Sequence, residues 1–199
     1  MVLKVLTFPD PRLREVSKPI TEFGPKLQKL AEDMFETMYA ENGIGLAAPQ
    51  VGELIRMLVI DARPRETGGR YESNDNMTEL EKKITQPLVL CNPEIVQGEG
   101  STTYDEGCLS VPSFFETVER KEYVELRYQD VHGKKHTLKT DGLLAIVCQH
   151  EMDHLEGTLF IDHLSYVKSN KIKTQIKKHG YPEKKAKNAS DPDVEEKEL

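Results

Sequence analysis

The chain has 199 residues, of which 31% are charged and 37% hydrophobic, a composition that excludes a fibrous or wholly disordered protein and fits one folded domain. Its formal net charge of −7, from 27 basic and 34 acidic residues, excludes a broadly basic surface of the kind that coats nucleic acids, and we expect no DNA partner. Three cysteines are an odd number and too few for a disulfide framework, so we expect reduced thiols in a cytoplasmic protein.

The N-terminal segment lacks the pattern of a targeting signal. Lys4 interrupts its short apolar stretch, and Pro9 and Pro11 end it, whereas a signal peptide has an uninterrupted apolar core. No run in the sequence approaches the roughly 18 apolar residues of a membrane-spanning helix. The sequence therefore predicts no membrane contact.

Hydrophobic spacing predicts a first helix between Gly24 and Gly43, with Pro25 in its first turn. The segment 43–52 that follows is neither helical nor alternating, and its glycines allow a fixed backbone that other groups can approach closely.

Five segments are predicted to be strands: 55–61, 88–96, 101–106, 122–129 and 135–140. A turn at Gly133 joins the last two as a hairpin. Residues 62–87 lack a consistent period and are predicted to be a long surface insertion between two strands.

Two further helices are predicted near the C-terminal end. Thr140 or Asp141 can cap the first, which stops at Gly157, and the second runs from Ser165 to Gly180 with five lysines and no acidic residue. Three apolar residues of this second helix are predicted to pack inward: Val167, Ile172 and Ile176. Residues 181–199 have almost no large apolar side chains and are predicted to be a disordered tail.

The order of these elements predicts an α+β fold. Strands flank the helices rather than alternating with them, so we expect mostly antiparallel sheets, an N-terminal helix and a C-terminal helix. The sheets are expected to pack around the helix before Gly157, within a single domain over residues 1–180.

The strongest chemical signal is the HExxH run His150-Glu151-Met152-Asp153-His154 on that helix. A spacing of four places both imidazoles on one face, where they can bind one metal ion, and Glu151 can reach water bound to that ion. Three apolar residues on the same side direct the histidines into the protein: Leu143, Ile146 and Val147.

A catalytic site needs a third protein ligand. Metallopeptidases with the pattern HExxHxxGxxH have a histidine where this chain has Phe160. Asp162 and His163 follow, but Cys108 is the better candidate by chemistry, because a thiolate with two imidazoles suits zinc or ferrous iron. The other two cysteines, in apolar contexts, are predicted to be small buried residues: Cys91 and Cys148.

Three motifs together closely resemble those of the peptide deformylases: Gly43-Ile44-Gly45-Leu46-Ala47-Ala48-Pro49-Gln50, Glu106-Gly107-Cys108-Leu109-Ser110 and Gln149-His150-Glu151-Met152-Asp153-His154. The run 9–13 is also similar to that family, so the resemblance covers about residues 1–170. It implies hydrolytic removal of the N-formyl group from the N-terminal formylmethionine of new polypeptides, with release of formate, by a single catalytic domain over 1–180.

The resemblance also implies a role for each matching residue. Three residues would hold one divalent metal ion, by which water is activated: Cys108, His150 and His154. Glu151 would act as general acid and base. The Gln50 side-chain amide and the Leu109 backbone N–H would stabilise the oxyanion. The native ion is expected to be Fe²⁺, with Zn²⁺, Ni²⁺ or Co²⁺ as possible substitutes.

The substrate is expected to bind as an added strand along backbone that three glycines leave approachable: Gly43, Gly45 and Gly107. By resemblance, the methionine side chain enters an apolar pocket with His150 at its floor. Four residues are candidates for its walls: Ile44, Leu143, Ile146 and Val147. We expect close contact at Gly45 to select formyl over acetyl groups.

Two other functions stay open at this point. The HExxH run also permits a metallopeptidase that cleaves internal peptide bonds, and a non-catalytic, ribosome-associated protein could use the metal structurally. The resemblance implies a ribosome contact through the basic helix 165–180 in addition to the N-formylmethionyl polypeptide substrate.

Overall fold

A computed structural model describes residues 1–65, 71 and 73–182. Within this part of the chain lie three α-helices, which we number in chain order: α1 Pro25–Ala40, α2 Gly142–Leu155 and α3 Tyr166–His179. Seven strands accompany them: β1 Gly45–Ala47, β2 Met57–Ile60, β3 Leu88–Glu99, β4 Thr102–Glu106, β5 Glu116–Arg120, β6 Tyr123–Gln129 and β7 Lys135–Thr140.

The strands form two antiparallel sheets. The larger has the order β1-β2-β3-β6-β7, and β4 pairs with β5 in the smaller. The apolar side of α2 packs on the larger sheet in a buried cluster that includes Val147, Leu58 and Leu126. The predicted α+β class with antiparallel strands is confirmed, and each of the three predicted helices is present.

Two strands were not predicted. β1 has only three residues, all buried, so it shows no alternation of apolar and polar side chains. β5 has one large apolar residue, Val118, and depends on its pairing with β4. Both strands are defined by their partners more than by their own composition.

The segment 62–87, of which residues 66–70 and 72 lie outside the described part, joins β2 to β3 and is anchored by buried polar side chains. Glu81 is only 3% exposed, and its carboxylate accepts hydrogen bonds from the backbone N–H groups of Leu144 (2.9 Å) and Thr78 (2.8 Å). The expectation that the α2 cap comes from Thr140 or Asp141 is wrong in part. Asp141 is the N-cap residue, but its side chain accepts from the Thr78 hydroxyl, and Glu81 binds the helix N–H group.

On α3, Ile172 and Ile176 are buried as predicted, but Val167 is 76% exposed, so its predicted inward packing is wrong. The reason is angular: Ile172 and Ile176 are four residues apart and share a face, whereas Val167 precedes Ile172 by five residues and turns away from it. The predicted disordered tail, residues 181–199, is wrong at its first residue, because the Tyr181 ring packs against Phe114; from 183 onward the tail lies outside the described residues. In the described part of the chain, no helix combines the length and apolarity needed to cross a membrane.

Candidate active site

The two histidines of the HExxH run come together with Cys108 inside the protein. α2 is continuous through this run, so His150 and His154 lie one turn apart, with ring centroids separated by 5.2 Å. Cys108 lies between β4 and β5, and its Sγ is 3.3 Å from His154 Nε2. One ligand atom from each of the three residues lies within 4.8 Å of the other two, and all three residues are buried.

This donor set fits a divalent transition-metal ion. The Nε2 atom of His150 is buried and has no hydrogen-bond partner in the described structure, an arrangement that burial makes costly unless the atom binds something. Two imidazoles and a thiol are ligands that zinc and ferrous iron accept. Burial lowers the pKa of His154 to about 3, which keeps this imidazole neutral and able to ligate.

A buried carboxylate fixes the orientation of the first histidine. Glu106 Oε2 lies 2.8 Å from His150 Nδ1, and Arg120 donates two hydrogen bonds to Glu106, at 2.7 and 2.9 Å. Burial alone would raise the pKa of Glu106, but the hydrogen bonds from Arg120 and His150 hold it at about 2. Burial alone would lower the pKa of the His150 imidazole. Its neighbours Cys108 and Glu106 outweigh this effect and raise the pKa above its ordinary value.

Arg120 extends this network to the surface and was missed by the sequence analysis. Its Nη1 donates to Asp153 at 2.7 Å, and Asp153 in turn lies 2.6 Å from Nε2 of the half-exposed His163. Val118 and Arg120 stand two residues apart on β5 and are both buried. The sequence signal for Arg120 was therefore an arginine on the apolar face of a short strand whose buried and exposed side chains alternate.

The alternative third ligands are occupied elsewhere. Asp162 pairs with Arg14 and with Lys173, and His163 pairs with Asp153. Phe160 is buried, and its ring stacks on His150 with centroids 6.3 Å apart.

Glu151 lies beside the cluster and is fully buried. Its carboxylate oxygens have no hydrogen-bond partner among the described residues, and burial raises its pKa to about 7. Gly45 faces this side chain: a Cβ on Gly45 would lie 2.9 Å from both Cγ and Cδ of Glu151. The close approach of β1 to α2 thus requires glycine at this position.

The Gln50 amide is held by contacts at both of its ends. Its Oε1 accepts from the Ala47 backbone N–H at 2.7 Å, and its Nε2 donates to Ser110 Oγ at 3.2 Å and lies 3.7 Å from Cys108 Sγ. Ser110 also donates its backbone N–H to Cys108 Sγ at 3.4 Å. Leu109, between these two residues, is buried.

The expected pocket residues share one apolar cluster on the sheet side of α2: Ile44, Leu143, Ile146 and Val147. The glycines differ from one another. A Cβ on Gly43 would lie 3.0 Å from Leu109 Cδ1, and one on Gly107 would lie 2.8 Å from Phe115 Cδ1. The space beside Gly107 is therefore filled by Phe115 of the same chain. Cys91 and Cys148 are buried free thiols, as predicted.

Comparisons with known proteins identify the relatives of this chain. The family model described as polypeptide deformylase matches residues 2–170. A peptide deformylase of Alkalilimnicola ehrlichii is 45% identical over 177 residues, which cover 89% of this chain and 90% of that protein. The crystal structure of peptide deformylase from Ehrlichia chaffeensis is similar with a TM-score of 0.77 and 38% identity, covering 89% of this chain and 96% of the other. A second structure of that enzyme, in complex with actinonin, has the same TM-score of 0.77 at 37% identity, with coverage of 89% and 96%.

Proposed function

The chain belongs to the polypeptide deformylase family, and from this premise we propose that Cys108, His150 and His154 hold its metal ion. The protein is an enzyme that removes the N-formyl group from the N-terminal formylmethionine of newly made polypeptides. The observation that carries the assignment of the site is the buried set of three ligand atoms within 4.8 Å of one another. We further propose that residues 1–180 form one catalytic domain and that the enzyme works in the cytoplasm, where its free cysteines stay reduced.

The family is metal-dependent, and we propose Fe²⁺ as the native ion, with Zn²⁺, Ni²⁺ or Co²⁺ as substitutes. A divalent ion, when bound, lowers the pKa of water so that the water can attack near neutral pH. The thiol of Cys108 supports a soft or borderline ion. Metal analysis of anaerobically purified protein is expected to find iron, and fully active protein that contains only zinc would contradict this.

In our proposal Glu151 takes the proton of the attacking water and returns it to the leaving nitrogen. Its burial one residue after a ligand, with oxygens that no described residue binds, supports this role. We assign stabilisation of the developing oxyanion to the Gln50 amide and the Leu109 backbone N–H. The contacts of Gln50 with Ala47 and Ser110 support the assignment, because a donor held in advance needs no reorganisation during the reaction.

The substrate peptide would add as a strand along β1, which is an edge strand of the larger sheet. The methionine side chain would enter apolar surroundings formed by the α2 cluster, in which Ile44, Ile146 and Val147 are buried and Leu143 is partly buried. The close contact between Gly45 and Glu151 supports selection of the small formyl group, since little room is left for a larger acyl group.

We also propose that α3 contacts the ribosome. Tyr166 is 82% exposed and lies on the same surface as Lys171 and Lys178. Lys168 and Lys173 are paired with Glu116 and Asp162. Basic residues on an exposed surface favour the phosphates of ribosomal RNA.

The ribosome contact is tested by reversing three charges of α3 together: Lys171, Lys177 and Lys178 to Glu. We expect the variant to co-sediment with ribosomes less than the wild type does. Co-sedimentation of the wild type should itself decrease as the salt concentration rises. The matched control reverses Lys134, which precedes β7, together with Lys135 and Lys139 on β7. Equal binding by the α3 variant and the wild type would remove this partner.

The main proposal is tested by formate release from a formyl-Met-Ala-Ser peptide. A strong chelator is expected to abolish release and Fe²⁺ or Co²⁺ to restore it, while an internal unformylated peptide stays intact. Release that persists after the metal has been removed, as verified by elemental analysis, would contradict the assigned site.

A further inference from the structure

Tyr181, two residues after α3, is bound to two segments that come from distant parts of the chain. Its hydroxyl donates to the backbone carbonyl of Phe8 at 2.6 Å and lies 3.3 Å from the carbonyl of Ser110. Its ring packs edge-on against Phe114, with centroids 6.3 Å apart and an angle of 66° between the planes. The hydroxyl therefore joins the N-terminal segment to the segment that carries Cys108.

These contacts lead directly to both sides of the active site. The Phe8 N–H donates to the Ser110 carbonyl at 2.8 Å, and the Leu6 N–H donates to the Gln50 carbonyl at 2.7 Å. Residues 6–8 thus form a backbone bridge between Gln50 and Ser110. Tyr181 binds this bridge where it meets Ser110.

Ser110 connects the bridge formed by residues 6–8 to the groups that take part in the proposed reaction. It donates its N–H to Cys108 Sγ at 3.4 Å and accepts from Gln50 Nε2 at 3.2 Å. A shift of Ser110 would therefore move the Leu109 N–H and the Gln50 amide relative to each other. Oxyanion stabilisation depends strongly on such positions, because the donors must meet the charge where it develops.

The packing of α3 reinforces this connection. Ile172 and Ile176 of α3 share one buried apolar cluster with Cys108 and Phe8, and Tyr181 lies at its margin. The end of α3 and the segment 108–110 are therefore parts of one packed unit.

We propose that Tyr181 is a positioning residue for deformylation, whose hydroxyl holds the Cys108–Ser110 segment at the distance from Gln50 that the reaction needs. The inference rests on the proposed function, because it takes Gln50 and Leu109 as the oxyanion donors and Cys108 as a metal ligand. Tyr181, which follows the basic helix 165–180, thus acts on the active site through Ser110.

The test compares Tyr181→Phe, which removes only the hydroxyl, with Tyr128→Phe, which removes the hydroxyl of another partly buried tyrosine, on β6. We expect Tyr181→Phe to lower kcat about threefold to tenfold, the effect of one hydrogen bond, with KM and metal content unchanged. Tyr128→Phe is expected to keep the kcat of the wild type. Equal kcat values for the two variants would overturn the proposal.

A second readout uses the cobalt(II)-substituted protein, whose visible d–d absorption depends on the geometry of the ligands. We expect Tyr181→Phe, but not Tyr128→Phe, to shift these bands, because Ser110 binds the Cys108 sulfur. Unshifted bands in Tyr181→Phe, or a loss of kcat that merely follows loss of bound metal or of folded protein in thermal melts, would overturn the positioning role. If the wild type itself released no formate, the proposed function would fail, and the cobalt spectra would still decide whether Tyr181 positions Cys108.

Discussion

Glu106 Oε2 lies 2.8 Å from Nδ1 of His150, and both side chains are buried. This contact turns the other ring nitrogen of His150 toward Cys108 and His154. Because Glu106 is held by Arg120, the orientation of His150, a proposed metal ligand on α2, depends on the small sheet formed by β4 and β5.

Removal of the Glu106 charge is expected to weaken metal binding. The change Glu106→Gln disturbs the partner that orients His150, and loss of such a partner typically costs about 10- to 100-fold in metal affinity. Competition with chelators of graded strength measures the affinity. Glu119→Gln, at an exposed position of β5, is the control and should bind metal as the wild type does. Equal affinities of the two variants would contradict the role of Glu106.

The approach of β1 to Glu151, the proposed catalytic carboxylate, is tested with Gly45→Ala. A Cβ at this position would stand 2.9 Å from Cγ of Glu151, so the side chain must move. We expect kcat to fall by about tenfold or more, since small displacements of reacting groups are costly. Gly24→Ala is the matched control, because a Cβ there meets nothing within 4 Å. A Gly45→Ala enzyme with normal kcat would show that this contact is unimportant.

The helix α2 is expected to depend on a cap from the distant segment 62–87. Glu81→Ala removes the carboxylate that accepts from Leu144 N–H, and we expect a loss of about 1–2 kcal/mol in the free energy of unfolding. Urea unfolding measures this loss. Glu79→Ala removes a neighbouring glutamate that is 84% exposed and should cost far less. Equal stabilities of the two variants would exclude the cap.

Asp162 is expected to make stability depend on acid pH. Burial would raise its pKa, but hydrogen bonds from Arg14 and Lys173 hold it at about 2, below its ordinary value of 3.8. Because the pKa of Asp162 is lower in the folded than in the unfolded state, the ionised carboxylate stabilises the folded protein at pH values above about 4. This stabilisation is lost as the pH falls through the folded-state pKa of about 2.

The comparison for Asp162 is with Asp162→Asn. We expect the wild type to be about 1 kcal/mol more stable at pH 6, after allowance for solvent screening, and this difference to shrink as the pH falls and to vanish only below about pH 2. Asp105→Asn, at an exposed position of β4, is the matched control. A difference between wild type and Asp162→Asn that stays constant from pH 6 to pH 2 would argue against the ion pair.

The sequence allowed much of the fold to be predicted because apolar spacing is a local property. The periods of α1 and α2 and the alternation of β6 come from side chains within each element, so these elements were found. β1 was not found, since three buried residues contain no period. The predicted inward orientation of Val167 was wrong because Val167 lies on a different face of α3 from Ile172.

The residues of the site also differ in whether a local sequence pattern reveals them. The proposed ligands lie within short motifs, so His150, His154 and Cys108 could be named as candidates from the sequence. Arg120 was missed although it lies on the apolar face of a short strand, whereas the hydroxyl of Tyr181 pairs with residues far along the chain. Such pairings leave no local pattern and become visible only in three dimensions.

The central claim is that Glu151 transfers the proton at a metal site formed by Cys108, His150 and His154. The most direct measurement is formate release by Glu151→Ala, with metal content and circular dichroism recorded on the same sample. We predict a loss of at least about 10²-fold in kcat, with metal and fold retained, because general acid and base catalysis is removed. Glu156→Ala, five residues along at an exposed position just after α2, should keep full activity. A folded, metal-loaded Glu151→Ala protein that releases formate at the wild-type rate would contradict the account.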